Sequence, residues 1–215
     1  MSRLNFMKII EPCNFITTQW AGGSTTQLWI WPPKSNVAER DFELRISMAR
    51  VEQGGPFSDF SGYQRALLLL SGEGLKLEQR KVDDSHVCFL FSPNDPCWYF
   101  AGQDTVRAEL LNGPVQDFNL IAAQEHTLNM VRFSLDAAQL FYSMNNVITT
   151  KKHSVKTVSC LYGLYLHQGE LNAGQTVIKA GQLVLSLTPL DNLVGSALSS
   201  EGVYFACGLP YLIEI

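Results

Sequence analysis

Turn-forming residues punctuate this chain so regularly that little room is left for helices. Gly22-Gly23, Pro32-Pro33, Gly54-Gly55-Pro56, Gly72-Glu73-Gly74, Asp83-Asp84, Pro93-Asn94-Asp95-Pro96 and Gly113-Pro114 break the first part. Asn145-Asn146, Gly169, Asn172-Ala173-Gly174, Gly181, Pro189 and Gly208-Leu209-Pro210 break the second. Glycine supplies the positive φ of tight turns, and proline removes a backbone donor, so such clusters end regular structure. Between them lie short β-prone runs at 27–30, 43–51, 66–70, 75–79, 87–91, 106–111, 155–167, 176–178, 183–187 and 203–207. Short strands with turn signals at intervals of roughly eight to twelve residues predict an all-β sandwich or barrel. Helical periodicity is confined to Leu135–Ser143 and to a turn near Asp117–Ala122.

The 215 residues suit one large all-β domain or two small fused ones. A faint internal echo favours two. Leu67 to Leu77 and Leu161 to Leu171 each read as a strand, a glycine-containing turn and a second strand, and Gly181 resembles the turn before a late jelly-roll strand. Only 17% of residues are charged, against about 25% in an average soluble domain, which points to extensive buried β surface. The net charge of −4, with no basic stripe beyond Lys151-Lys152, argues against a nucleic-acid partner. The longest wholly apolar runs, such as Ala66–Leu70 and Val87–Phe91, fall far short of the roughly 18 residues of a membrane span. The N-terminus lacks an apolar signal region, so a cytoplasmic location without a membrane partner is expected. Five cysteines without a C-x-x-C pair read as reduced thiols, although Cys88 and Cys97 would face each other across a hairpin.

The candidate binding residues centre on two arginines. Arg45 lies in the strand-like run Phe42 to Ala49, and Arg65 directly precedes Ala66–Leu70. Alternation puts Arg45, Ser47 and Ala49 on one face, and Leu44, Ile46 and Met48 on the other. If both faces are buried, the arginine must meet a partner or line a polar cavity, because an unpaired buried charge is costly. A guanidinium presents a planar fork of donors that suits a carboxylate. Ser47, Ser58, Thr25 and Thr26 would add hydroxyls, and Trp20 is the tryptophan placed to touch a ligand. The competing reading pairs Arg45 structurally with Asp117, Glu43 or Asp59. Asp117 and Asn119, flanking Phe118, form either a polar clamp on the ligand or a turn satisfying its own backbone. Gly22-Gly23-Ser24-Thr25-Thr26 is either a backbone nest for an anion or a turn entering a strand.

Catalytic signals are sparse. His86, His126, His153 and His167 are scattered singles without metal-ligand spacing, so neither a metal nor another cofactor is expected. No G-x-S-x-G occurs, and Glu73, between two glycines, reads as an exposed turn residue rather than a base at a barrel mouth.

Several stretches, in order, resemble the bacterial HutD/Ves family. They are Trp20 to Leu28, Arg45 to Ala49, Gly55 to Gly62, Arg65 to Gly74, Phe100-Ala101-Gly102 and Leu111 to Leu120. This resemblance implies a bicupin, two packed jelly-roll β-barrels, and for the HutD branch a link to histidine utilisation with a regulatory role in sensing a pathway acid. Gln27 stands where that family commonly has arginine, Ser61 where it has proline, and Tyr63-Gln64 where it has an aliphatic–acidic pair. The expected division is an N-terminal barrel with the ligand cavity at 1–124 and a C-terminal barrel at 125–215, with terminal strands free to cross. The expected function is non-catalytic binding of a small carboxylate. A metal-independent isomerase, lyase or hydrolase in the same cavity, and a structural module that homodimerises through strand edges, are the alternatives.

Overall fold

In a computed structural model of the chain, the described residues are 7–136, 140–141, 159–190, 193–195, 199–211, 213 and 215. They contain no α-helix and nineteen strands. Two compact units are formed: Phe15–Gln124 is one, and Glu125–Ile215 with the N-terminal strand is the other.

The first unit holds β2 (Ile16–Trp20), β3 (Gly23–Trp31), β4 (Leu44–Val51), β5 (Gly55–Pro56), β6 (Tyr63–Ser71), β7 (Leu75–Arg80), β8 (His86–Phe91), β9 (Trp98–Ala101), β10 (Thr105–Leu110) and β11 (Val115–Ala123). They form a six-stranded sheet in the order β2-β3-β4-β11-β6-β9 and a four-stranded sheet in the order β5-β10-β7-β8. Leu67, Leu69 and Val115 of the first sheet pack with Leu75, Leu77 and Val106 of the second, so the core lies between two layers.

The second unit holds β1 (Met7–Ile10), β12 (Thr127–Leu135), β13 (Leu140–Phe141), β14 (Ser159–Gln168), β15 (Glu170–Ala173), β16 (Thr176–Lys179), β17 (Leu183–Ser186), β18 (Leu193–Gly195) and β19 (Ser200–Leu209). Its sheets run β1-β17-β14-β19-β12 and β13-β18-β15-β16. Phe133, Leu164, Leu166, Leu171, Ile178 and Val184 form its core. Because β1 pairs with β17 from Met7↔Ser186 to Ile10↔Leu183, the chain's first strand completes the C-terminal sheet.

Three local expectations are corrected. Asp117–Ala122 is no helical turn but part of β11, a central strand hydrogen-bonded to β4 on one side and β6 on the other. Two full ladders outweigh the poor strand propensity of Asp and Asn. Within Leu135–Ser143, Leu135 ends β12, Asp136 is irregular, Leu140–Phe141 is a strand, and 137–139 and 142–143 lie outside the described residues. Cys88 and Cys97 do not face across a hairpin, because β8 pairs with β7 while β9 pairs with β6 in the other sheet. All five cysteines are free thiols. Asn145-Asn146, Lys151-Lys152, His153 and the start of the predicted strand at 155–167 lie outside the described residues.

Candidate functional site

Register builds the site. Directly opposed residues on antiparallel neighbours share a face. Ile121 of β11 stands opposite Arg45 of β4 on one side and Arg65 of β6 on the other. The next inward-facing position of β11 sets Asn119 against Ser47 and Leu67, and the one after sets Asp117 against Ala49 and Leu69. On β3, Thr25 lies opposite Ala49, and Gln27 opposite Ser47. The polar side chains thus fall in successive rows on one sheet face, with the two arginine backbones two strand spacings, roughly 10 Å, apart.

This face lines a cavity of about 320 Å³. The volume lies at the small end of the range typical of ligand pockets. Its walls include Arg45, Arg65, Ser47, Thr25, Asp117 and Asn119, and also Trp20 and Ser58. Both arginines therefore reach one cavity. The alternate side chains Leu44 and Ile46 are buried on the opposite face, as the alternation requires. A more open cavity of about 520 Å³ shares Arg45 and Val37 with the first and adds Ile16, Thr18, Gln27 and Lys34.

The arginines are held differently. Arg45 donates from Nε to Oε1 of Gln27 at 3.1 Å, and burial lowers its pKa. No ion pair joins it to Asp117, Glu43 or Asp59 among the described residues. Asp59 instead accepts from the backbone N–H and the hydroxyl of Ser61, both at 2.8 Å. Arg65 is only 6% exposed. Its Cζ lies 4.8 Å from the Phe100 ring centroid, 5.2 Å from Phe57 and 5.5 Å from Phe60. Such distances give cation–π attraction. One Nη donates weakly to the Ser58 carbonyl at 3.5 Å, and Nε has no hydrogen-bond partner among the described residues. Burial pulls the Arg65 guanidinium down to about 10, with Asp117 opposing and Arg45 assisting, so it stays charged at neutral pH.

The acceptors are also unusual. Asp117 is buried and accepts from the Ala49 backbone N–H at 3.3 Å. Burial pushes its carboxyl up to about 7, although Arg65 and the Ala49 N–H both pull it down. The Oδ1 of Asn119 is buried without a hydrogen-bond partner among the described residues. Unsatisfied buried polar atoms are uncommon and costly, so two on one cavity wall mark a place where a ligand or water belongs.

Thr26 does not join this wall. It follows Thr25 on β3 and points to the other face, where its hydroxyl meets that of Thr17 at 2.9 Å. The glycines before it form a turn rather than an anion nest: the Gly22 carbonyl accepts from the N–H groups of Glu52 and Gln53 at 2.7 and 3.0 Å. A Cβ on Gly22 would sit 2.4 Å from the Trp20 ring, so this glycine lets the indole fold back over the turn, where Nε1 donates to Thr25 Oγ1 at 3.2 Å. Asp117 and Asn119 are strand residues, not turn caps. Glu73 lies in the turn between β6 and β7 and does not line the cavity. His86 is exposed at the start of β8, His126 is buried 3.3 Å from the Tyr211 hydroxyl, and His167 is half-buried near the end of β14.

Sequence reasoning missed the aromatic surround of Arg65. Phe57 and Phe60 sit within the Gly55 to Gly62 stretch and carried a local signal. Phe100 reaches Arg65 only because β9 pairs with β6, which no local pattern discloses.

Comparison with known proteins places this geometry among relatives. The HutD family model matches residues 14–196. The chain is 33% identical over 107 residues to an uncharacterized 21.2 kDa protein in the hutC 3′ region of Pseudomonas putida, covering 50% of this chain and 54% of that one. It is 30% identical over 127 residues to protein Ves of Escherichia fergusonii, covering 59% and 62%. The matched stretches thus span little more than half the length of these relatives. Among solved structures, HutD from Pseudomonas fluorescens SBW25, in a formate condition, is similar with a TM-score of 0.62 and 20% identity, covering 94% of this chain and 97% of that one. A variant of Bacillus subtilis oxalate decarboxylase is similar with a TM-score of 0.57 at 7% identity, covering 97% and 78%. At these identities the structural likeness is one of fold, all-β and cupin-like.

Proposed function

We propose, from the premise that this chain belongs to the HutD family, that it binds a small carboxylate in the cavity of Phe15–Gln124. The architecture is read as a bicupin of two jelly-roll barrels, the location as cytoplasmic, and the role as regulatory and tied to histidine utilisation. The observation that carries the reading is the pair of guanidinium groups flanking Ile121 on one cavity wall. Arg65 is buried, unpaired by any carboxylate within ion-pair distance among the described residues, and leaves Nε free for an acceptor. Arg45 is the second anchor, oriented by Gln27. Ser47 and Thr25 supply hydroxyls, and Phe57 and Phe60 keep water from the buried charge. A cavity left open, rather than filled by side chains, disfavours a purely structural role.

Calorimetric titration with formate, urocanate, formylglutamate, formiminoglutamate and glutamate tests this directly, using wild type beside Arg45→Ala. Saturable binding lost in the variant is expected. No binding to wild type across the panel would sink the proposal.

One observation favours a second reading, a metal-independent enzyme. Asp117 faces the same cavity with a carboxyl held at about 7, where a general acid–base works best at neutral pH. Chromatography of a ligand incubated with wild type and with Asp117→Asn separates the two. Conversion by wild type alone establishes catalysis, and recovery of intact ligand from both leaves a binder.

A further inference from the structure

We propose that β2 is a homodimerisation edge, through which two copies of this chain pair antiparallel about a twofold axis at Thr18. The proposal does not depend on what the cavity binds. Among the described residues, β2 is the outermost strand of the six-stranded sheet and is paired only with β3. All five of its residues are exposed, including Ile16 at 61% and Trp20 at 45%. An unpaired edge is a template for another strand, and native proteins blunt it with Lys, Pro, a bulge or an inward charge. Ile16-Thr17-Thr18-Gln19-Trp20 carries none of these, and its register with β3 runs without a bulge. Three of the five residues are β-branched and a fourth is aromatic, the composition that favours pairing.

Self-complementarity selects a second copy as the occupant. A twofold axis at Thr18 sets Ile16 of one copy opposite Trp20 of the other, twice, and Thr17 opposite Gln19. Ile16, Thr18 and Trp20 share one face of the strand, the face that lines the two cavities. The symmetric pairing therefore keeps that face continuous across both sheets, as an isologous contact requires. Aromatic–aliphatic cross-strand pairs are stabilising, and the threonine pair at the axis is compatible with both. Ile16 and Thr18 also line the wider cavity that Arg45 enters, so the Trp20 of a second copy would wall it. A five-residue edge buries less than the roughly 1,200 Å² of a standard interface, so the dimer should be reversible and concentration-dependent.

Sedimentation velocity over a concentration series tests this with the full chain. Wild type is expected to show a monomer–dimer equilibrium, weakened about tenfold by Thr18→Lys, which brings two ammonium groups together at the axis. Circular dichroism should show both proteins folded, because Thr18 is exposed. A second arm does not rely on loss of function. In a background with exposed Cys13 and Cys88 changed to serine, Thr18→Cys should give a covalent dimer under mild oxidation, while the background alone should not. Opposed Cα atoms about 4.5–5.5 Å apart lie within disulfide reach. Wild type monomeric at every concentration, a dimer indifferent to Thr18→Lys, a dimer lost instead by Leu90→Lys on the β8 edge, or no crosslink through Thr18→Cys would each overturn the proposal.

Discussion

The two units stack sheets in similar ways but fill them with opposite chemistry. In the C-terminal unit, the inward positions of β14, β15, β16 and β17 carry Leu164, Leu166, Leu171, Ile178 and Val184, which close on one another. In the N-terminal unit, the corresponding kind of position on β4, β6 and β11 carries Arg45, Ser47, Arg65, Asp117 and Asn119, and a cavity remains. Among the described residues, the buried arginine and the buried aspartate both lie there. The C-terminal cluster is apolar throughout, while the N-terminal unit sets beside its own apolar core of Leu67, Leu69, Leu75 and Leu77 a wall of polar groups whose burial stabilises nothing by itself. The difference assigns recognition to the polar wall of the N-terminal unit and stability to the apolar cores of both, and each can be perturbed separately.

The largest effect is expected where packing alone is at stake. Leu164→Ala should cost about 2–5 kcal/mol of stability in denaturant unfolding, with ligand affinity unchanged. An equal loss of affinity would break the division of labour. Arg65→Met should do the reverse. It should weaken carboxylate binding on the order of 100-fold by calorimetry, while the melting temperature holds or rises because a buried charge is gone. A melting temperature that falls sharply would make Arg65 a structural brace instead.

The next effect is a pH dependence confined to the N-terminal cavity. Asp117 has its folded pKa raised from 3.8 to about 7. The native state alone binds that proton between these values, so the contribution of Asp117 to stability grows as pH falls from 8 toward 4. The groups that act on it are Arg65 and the Ala49 N–H, and Arg45 lines the same cavity. An anionic ligand held by the same arginines repels the ionised carboxylate, so affinity should rise about tenfold from pH 8 to pH 6 while the ligand stays ionised. Asp117→Asn should flatten that profile, and a flat wild-type profile would remove Asp117 from the binding event. The smallest effect is a control: Thr26→Ala, on the opposite face of β3, should change affinity by less than about twofold, the size of an ordinary surface substitution.

How much of this was legible follows from where the signals are local. β4 and β6 announce themselves through runs such as Leu44-Arg45-Ile46-Ser47 and Ala66–Leu70, and alternation alone put Arg45 and Ser47 on one face. β11 hid because Gln116, Asp117 and Asn119 are poor strand formers, and only pairing on both sides makes them extended. Thr25 and Thr26 look equivalent as hydroxyl donors in the sequence, yet neighbours on a strand cannot share a face. The partnership of Arg45 with Gln27 depends on the bulge between Gln27 and Trp29, which returns Gln27 to the row of Ser47. The first strand's place in the second unit has no local trace, because Met7 pairs with Ser186.

Because the cavity is written in rows across β4, β11 and β6, its chemistry is bound to the length of those strands as tightly as to their composition. One residue inserted into β11 ahead of Asp117 would turn Phe118 inward and send Asp117 and Asn119 to the far face, with no side chain altered. A change of length at turns such as Gly72 to Gly74 or Gly113-Pro114 leaves these rows in place, whereas an extra residue within the three strands keeps them only where a bulge absorbs it, as the register shift at Gln116 and Asp117 does for Leu70 of β6.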